Sequence, residues 1–334
     1  MSGTNSTFTK ELFHHCKDLV DVYPEYCRYD DSYYEYRLWI VPNALFLGLF
    51  SISFLGYGGV WGLTRFHNAK FSVVMMLGVL CEILGYTGRV MSWLDQWDEN
   101  GFLIQICCLT IGPAFMAAGI YFCLRNIVVI FGAENSRLKP GWYPRIFIPC
   151  DVISLILQAV GGAMASIASH NNTNVKPGNN IMIAGLAFQV FTLFVFIILV
   201  VDFAIRTLRN QSRLNTNPAL VSLRTSTRFR LFLGALSVST ICVFWRCVFR
   251  VAELSEGWSG PIMKQQNLFV GFEGIMIVVA VLVLNVWHPN LCFRGMEDHV
   301  KTNGTTSDVG VTEEAKGPSL PTSLATSVDE HQRY

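Results

Sequence analysis

Hydrophobic and polar positions along the chain sort into long apolar stretches separated by polar joints. Apolar runs of about 20 residues or more, the length a helix needs to cross a bilayer, occupy residues 38–62, 71–94, 102–131, 146–169, 181–201, 231–254 and 268–287. Seven such runs predict an all-α, polytopic membrane protein with seven transmembrane helices. The joints are short except for residues 202–230, and no internal repeat stands out. Residues 1–37 are polar, acidic and rich in Tyr, and lack the basic, apolar and small-residue succession of a signal peptide. The first span is therefore expected to act as its own insertion signal. Beyond Trp287-His288-Pro289 the chain turns polar and Ser/Thr-rich up to Tyr334, a composition that cannot bury a core and is expected to be disordered.

Lys and Arg near the ends of spans stay on the cytosolic side, which orients the chain. Arg65 and Lys70 follow the first span, Arg137, Lys139 and Arg145 the third, and Arg206, Arg209, Arg213, Arg224 and Arg228 the fifth. The alternate joints carry Asp95, Asp98 and Glu99, then Lys176, then Glu256 and Lys264. The expected organisation is an extracellular segment (1–37), a seven-helix transmembrane domain (38–289) and a cytosolic tail (290–334). In that orientation the sequons at Asn5 and Asn171 face outward and are glycosylation candidates, while those at Asn210 and Asn303 are silent.

Composition narrows the functional classes. With 51% hydrophobic and 15% charged residues and a mean hydropathy of +0.39, the chain is unlike a soluble enzyme. A formal net charge of +1 gives no reason to expect a nucleic-acid partner. Of ten cysteines, Cys81, Cys107, Cys108, Cys123, Cys150, Cys242 and Cys247 lie in apolar runs without metal-ligand spacing and read as packing residues. Cys16 and Cys27 either form a disulfide or stay free; spacing does not decide. Cys292 is either an ordinary juxtamembrane thiol or a palmitoylation site. The seven histidines (His14, His15, His67, His170, His288, His299, His331) lie outside the apolar runs and form no metal or nucleophile constellation. No cofactor, metal or catalytic residue is expected.

Ionisable groups inside the spans are the informative exceptions, since one at mid-bilayer costs roughly 2.5–3.5 kcal/mol unless it is paired or wet. At about 100° per residue Glu82, Gly85, Tyr86 and Arg89 share one face of the second span. Arg246, Arg250 and Glu253 share a face of the sixth, and Glu273 lies in the seventh. Three acids thus match three arginines in an inward network. Such a network either ties helices together as structural ion pairs or lines a water-filled substrate cavity. In the fourth span Asp151, Ser154, Gln158, Gly161 and Gly162 fall on one face, with Arg125 of the third span as a candidate partner for Asp151 unless Arg125 snorkels to the interface. Gly85, Gly161 and Gly162 suit close helix contact, and Pro113 kinks the third span and frees a carbonyl ahead of Tyr121. Gln189 in the fifth span is expected to make an interhelical hydrogen bond.

The succession Glu82-x-x-Gly85-Tyr86-x-x-Arg89, Pro113-x-x-x-Ala117-Ala118-x-x-Tyr121, Asp151-x-x-Ser154-x-x-x-Gln158-x-x-Gly161-Gly162, Gly185-Leu186-x-x-Gln189 and Arg246-x-x-x-Arg250-x-x-Glu253 resembles the fungal lipid-translocating exporter family, whose members are RTA-like seven-helix proteins. The resemblance covers about residues 38–289. Two positions depart from the family pattern: Gly112 stands before Pro113 where Ala is expected, and Asn290 follows His288-Pro289 where Gly is usual. The resemblance implies seven helices with an external amino terminus, a fungal origin, and movement or sensing of lipid-like molecules. Aminocholesterol, sphingoid long-chain bases and other toxic amphiphiles are the family's associations.

Three functional classes compete. The first is a plasma-membrane exporter whose partners are membrane lipids or lipid-like amphiphiles, with Glu82, Glu253 or Glu273 exchanging an arginine for a substrate ammonium. Direct ATP hydrolysis is not expected, because no Gly-x-x-x-x-Gly-Lys-Ser/Thr loop occurs. The second is a heptahelical lipid-sensing receptor or regulator. Against a rhodopsin-type receptor, the third span ends in Leu124-Arg125-Asn126 and the seventh holds neither Asn-Pro-x-x-Tyr nor a lysine. The third, a membrane enzyme, lacks any recognisable constellation. Oligomeric state is not encoded in these patterns.

Overall fold

The computed structural model describes residues 32, 34, 36–64, 69–171, 173–210, 214–256, 260 and 265–292. Asn5, Cys16, Cys27, Arg65, Arg213, Lys264, Asn303 and the stretch 293–334 lie outside the described residues. Long apolar sequences form α1 (Ile40–Leu63), α2 (Ala69–Leu94), α3 (Glu99–Phe131), α4 (Trp142–His170), α5 (Lys176–Arg209), α7 (Thr227–Ser255) and α8 (Gln266–Cys292), with the short α6 (Pro218–Thr225) in the long joint. Each of the seven long helices is of a length and composition that crosses a membrane, and no strand occurs among the described residues.

Several boundaries differ from the sequence expectation. The helix α5 runs from Lys176 to Arg209, so Asp202 lies on a helix instead of opening the long joint. Its 34 residues span about 50 Å at 1.5 Å per residue, well beyond a hydrocarbon core of about 30 Å. The overhang ends in surface ion pairs of Asp202 with Arg137 at 2.8 Å and Arg206 at 2.9 Å. Asp98 starts α3 by accepting from the Asn100 amide at 3.2 Å, and Gly132 ends it at φ 120°, a backbone state that glycine adopts without a Cβ penalty. The last helix passes the expected end at Pro289: residues 289–292 add a turn, and Asn290 is buried.

Which face of each helix turns inward follows from spacing. In α1 the buried residues Asn43, Phe46, Phe50, Ser53 and Tyr57 recur every three or four positions, while Val41, Leu45, Ile52 and Leu55 point outward as an apolar belt. The helices close a ring: α1 contacts α2 and α8, α2 contacts α3, α3 contacts α4, α4 contacts α5, α5 contacts α7, and α7 contacts α8. Because α3 also touches α7 across the ring, it is the axis of the bundle.

Glycines set the closest crossings. A Cβ on Gly88 would sit 2.7 Å from the Gly101 carbonyl oxygen, and one on Gly161 2.7 Å from the Gly178 carbonyl oxygen. The α2–α3 and α4–α5 backbones therefore meet without intervening side chains. Gly85 likewise seats Leu109. Gly162 does not share this role, since the nearest atom to an added Cβ is Met182 Sδ at 3.9 Å. Gly161→Ala is expected to lower thermal stability in detergent by about 1–3 kcal/mol through overpacking against backbone, whereas Gly162→Ala leaves it unchanged or slightly raised. Thermal unfolding of the two variants side by side checks this.

Candidate functional site

Five ionisable side chains from three helices converge in the interior. Glu82 on α2, Arg246, Arg250 and Glu253 on α7 and Glu273 on α8 are each no more than 4% exposed. Spacing on α7 puts Arg250 Nη1 2.6 Å from Glu253 Oε2 one turn on. Arg246 pairs with Glu273, whose second oxygen lies 3.9 Å from Arg250 Nε. Glu273 itself rides on a π-helical stretch, Phe269–Ile275, where α8 is locally wider than an α-helix.

Arg246 also answers a backbone defect. Pro113 has no N–H to give the carbonyl four residues earlier, which is that of Leu109. Arg246 Nη2 donates to that oxygen at 2.7 Å. The carbonyl freed by Pro113 is thus used, and α3 continues unbroken from Glu99 to Phe131. Gly112, one of the two departures from the family pattern, has a local reason: a Cβ there would stand 2.5 Å from Glu82 Oε1.

Glu82 differs from the other two acids. It forms no ion pair among the described residues, and its Oε1 has no hydrogen-bond partner. The cluster therefore sets three carboxylates against two guanidinium groups. Arg89, expected as the third arginine of the network, instead makes its contacts one side away. Its Nε donates to Asn43 Oδ1 at 2.9 Å, its Nη2 lies 3.4 Å from the Tyr36 hydroxyl, and its guanidinium lies 3.8 Å from the Phe269 ring centroid. Tyr34 seals this end of the bundle, its hydroxyl 2.6 Å from Gln105 Oε1 and 3.0 Å from Ser92 Oγ. Burial pushes the Tyr34 phenol up to about 12, so it stays neutral and able to donate. A cleft lined by Tyr34, Arg89, Gln105, Arg250, Glu253 and Phe269 has room for about one water molecule. The wide water-filled cavity considered from sequence is not what this conformation presents: the charged groups are packed, not solvated.

A second buried polar group lies between α3, α4 and α5. Gln158 Nε2 donates to Gln189 Oε1 at 3.1 Å, the interhelical bond expected of Gln189. Asp151 is buried beside the Tyr121 hydroxyl, and Ser154 Oγ turns back to the Asp151 backbone carbonyl at 2.7 Å. The expected partner Arg125 is exposed and forms no ion pair with Asp151 among the described residues, the outward orientation expected of a snorkelling side chain. Tyr86 is fully buried against Phe46 and Phe50 rather than lining an open path.

Sequence reasoning passed over Asn43 and Tyr34 and gave the His288–Asn290 turn no structural role. A lone Asn within the apolar first span was the available signal for Asn43. Asn290, the second departure from the family pattern, places its amide 3.3 Å from Thr64 Oγ1 and 3.2 Å from Ser72 Oγ, joining three helices where Gly would offer no side chain. His288, expected outside the spans, is fully buried between the Tyr57 and Phe71 rings.

Comparison with known proteins agrees with this architecture. The family model described as RTA1 like protein matches residues 75–296. The sphingoid long-chain base transporter RSB1 of Saccharomyces cerevisiae (strain Lalvin EC1118 / Prise de mousse) is 32% identical over 250 residues, 67% of this chain and 65% of the relative. Protein RTA1 of Saccharomyces cerevisiae (strain ATCC 204508 / S288c) is 29% identical over 231 residues, 69% of each chain. Protein RTM1 of Saccharomyces cerevisiae is 27% identical over 218 residues, 64% of this chain and 66% of the relative. The chain thus spans just under two thirds of the transporter's length, 65%. No solved structure matches the chain.

Removing Arg246 strands the Leu109 carbonyl and leaves Glu273 only the 3.9 Å contact with Arg250. Arg246→Met is expected to cost about 3 kcal/mol. Pro113→Ala restores an N–H for Leu109, so the two substitutions should couple favourably by about 1 kcal/mol beyond the general benefit of removing a helical proline. A double-mutant cycle of unfolding in mixed micelles measures that coupling, and strict additivity would contradict the shared carbonyl.

Proposed function

This chain belongs to the RTA1-like family, and on that premise we propose that it translocates amphiphilic lipids bearing a basic amine, such as sphingoid long-chain bases, and thereby confers tolerance to toxic amphiphiles. One observation carries this most directly: Glu82 is a buried carboxylate without an ion-pair partner, beside two guanidinium groups already engaged by Glu253 and Glu273. A long-chain base offers an ammonium on an apolar tail. The ammonium supplies the charge that Glu82 lacks, while the tail stays among apolar side chains or lipid. In the closed packing described here the site is shut, so translocation requires the contacts of Tyr34, Arg89 and Arg246 to open and reform in turn.

The same function orients the bundle. Exposed Arg137, Lys139, Arg145, Arg209 and Arg228 gather at one end, while Asp95, Asp98 and Glu99 lie at the other. By the positive-inside rule the Tyr34 end faces outward and the carboxyl terminus faces the cytosol. Asn171, exposed just after α4, then stands on the outer side as a glycan acceptor, and a plasma-membrane location fits export. We assign the segments 1–37 and 290–334 as the outer and cytosolic flanks of the transmembrane domain, with residues 290–292 drawn into α8. The site residues inherited from the sequence act as a translocation path and not as catalytic groups.

A lipid-sensing regulator is the second reading, favoured by the closed packing around the cluster. Flux separates the two. Purified protein in vesicles is expected to move a labelled sphingoid base faster than protein-free vesicles. A hydrogen bond to a charged group contributes about 1.5–3 kcal/mol, so Glu82→Gln should slow that movement roughly tenfold or more. Unchanged flux relative to empty vesicles, with lipid tolerance in cells still dependent on the chain, would favour the regulator. Glycosidase treatment of the expressed protein gives a separate check on orientation, with a mobility shift expected that Asn171→Gln diminishes.

A further inference from the structure

Asp151 is the carboxylate that the ion cluster does not use. It sits ten residues into α4, is 4% exposed, and has no hydrogen-bond partner on either oxygen. Its neighbour Tyr121 on α3 is fully buried and its hydroxyl is likewise without a well-formed hydrogen bond. The titratable groups that sense the Asp151 charge are Tyr121 on α3, Cys247 on α7 and Cys150 on its own helix. Among the described residues no Lys, Arg or His faces it, and α5 contributes no titratable group there. With only the loosely set Tyr121 hydroxyl beside it, a carboxylate at this depth is an unfilled demand for positive charge, since a carboxylate in an apolar interior is among the costliest groups a membrane protein can hold.

We infer that Asp151 and Tyr121 form a binding site for a small monovalent cation, a proton or a sodium ion, separate from the Glu82–Arg246–Glu273 cluster. The surroundings exclude larger guests: the aromatic rings of Phe147 and Phe196 pack on Tyr121 at centroid distances of 5.4 Å and 4.6 Å. The Gln158 amide lies about two turns along α4, roughly 10 Å away, and belongs to the Gln189 pair instead. Ser154 spends its proton on the Asp151 backbone carbonyl and so donates nothing to the carboxylate. Cys247 adjoins Arg246 in sequence and senses both Asp151 and Glu273, so the cation site and the ion cluster share a wall on α7. A cation at Asp151 would then bias how α3, α4 and α7 pack around Arg246. That coupling role rests on the translocator function proposed above; occupancy of the site does not.

The test reads binding through stability, without transport. Thermal unfolding of the purified full chain is followed in mixed micelles at constant ionic strength, first from mildly acid to mildly alkaline buffer without sodium, then with sodium chloride exchanged for choline chloride. Wild type is expected to lose stability as protons are withdrawn, or to regain it with sodium. Asp151→Asn, which is isosteric and needs no cation, is expected to show a response smaller by most of the wild-type shift. A pH response lost in the variant identifies the proton, and a sodium response lost in the variant identifies sodium. Equal responses in both proteins, or no response in wild type, overturn the site. Should Asp151→Asn not fold, Tyr121→Phe removes one ligand and is expected to weaken the response; a response equal to wild type overturns it. Flux lost with this difference intact would refute the translocator and leave the cation site standing.

Discussion

Arg246 holds this bundle at the point where three helices have something to lose. Pro113 leaves the Leu109 carbonyl of α3 without its helical donor, Glu273 brings a carboxylate into the interior from α8, and Arg246 on α7 donates to both. In hydrocarbon an unmet carbonyl costs several kcal/mol and an unpaired carboxylate more. Both bonds leave the same Nη2 nitrogen, whose two hydrogens serve the carbonyl and the carboxylate together. The π-helical stretch around Glu273 is the third partner in this arrangement, placing the carboxylate within reach of both Arg246 and Arg250.

Around that tie the interior divides into layers with different rules. Toward the Tyr34 end, Arg89 is held by an amide, a phenol and the face of Phe269, contacts that leave the guanidinium its charge. In the middle, carboxylates outnumber guanidinium groups and Glu82 has no direct partner. Beside α4, Asp151 stands without a cation. Glycine crossings bring α2 onto α3 and α4 onto α5 at backbone contact. Between the pairs the seam is largely apolar, with Tyr121 packed on Phe147 and Phe196.

Family membership and the chemistry of the interior are separate observations. The relatives include a named sphingoid long-chain base transporter, and in the interior of this chain Glu82 is a buried carboxylate without an ion pair among the described residues. Yet the bundle in this conformation is tightly closed, with room for about one water at the cleft. For anything larger than a water to enter the interior, these polar ties would have to exchange, since no larger cleft lies among the ionisable groups of the described residues.

Seven spans were legible from hydropathy because lipid permits only helices with satisfied backbones, and length then counts them. The inward direction of Glu82, Arg246, Arg250, Glu253 and Glu273 was legible too, for the same solvent penalises a charge pointing at acyl chains. The Arg250–Glu253 pair within one helix was legible from spacing, but partnership between helices was not. That Arg89 would turn to Asn43 and Phe269, that Arg125 would face outward and leave Asp151 unpaired, and that Gln158 would meet Gln189 depend on which helices become neighbours and at what rotation. Even the proline's freed carbonyl could be named from the chain, but its donor on α7, more than a hundred residues away, could not. Periodicity reports the angle of a side chain about its own helix; the identity of the group across the gap is set only when the helices close the ring and every buried polar atom must find a partner or go without.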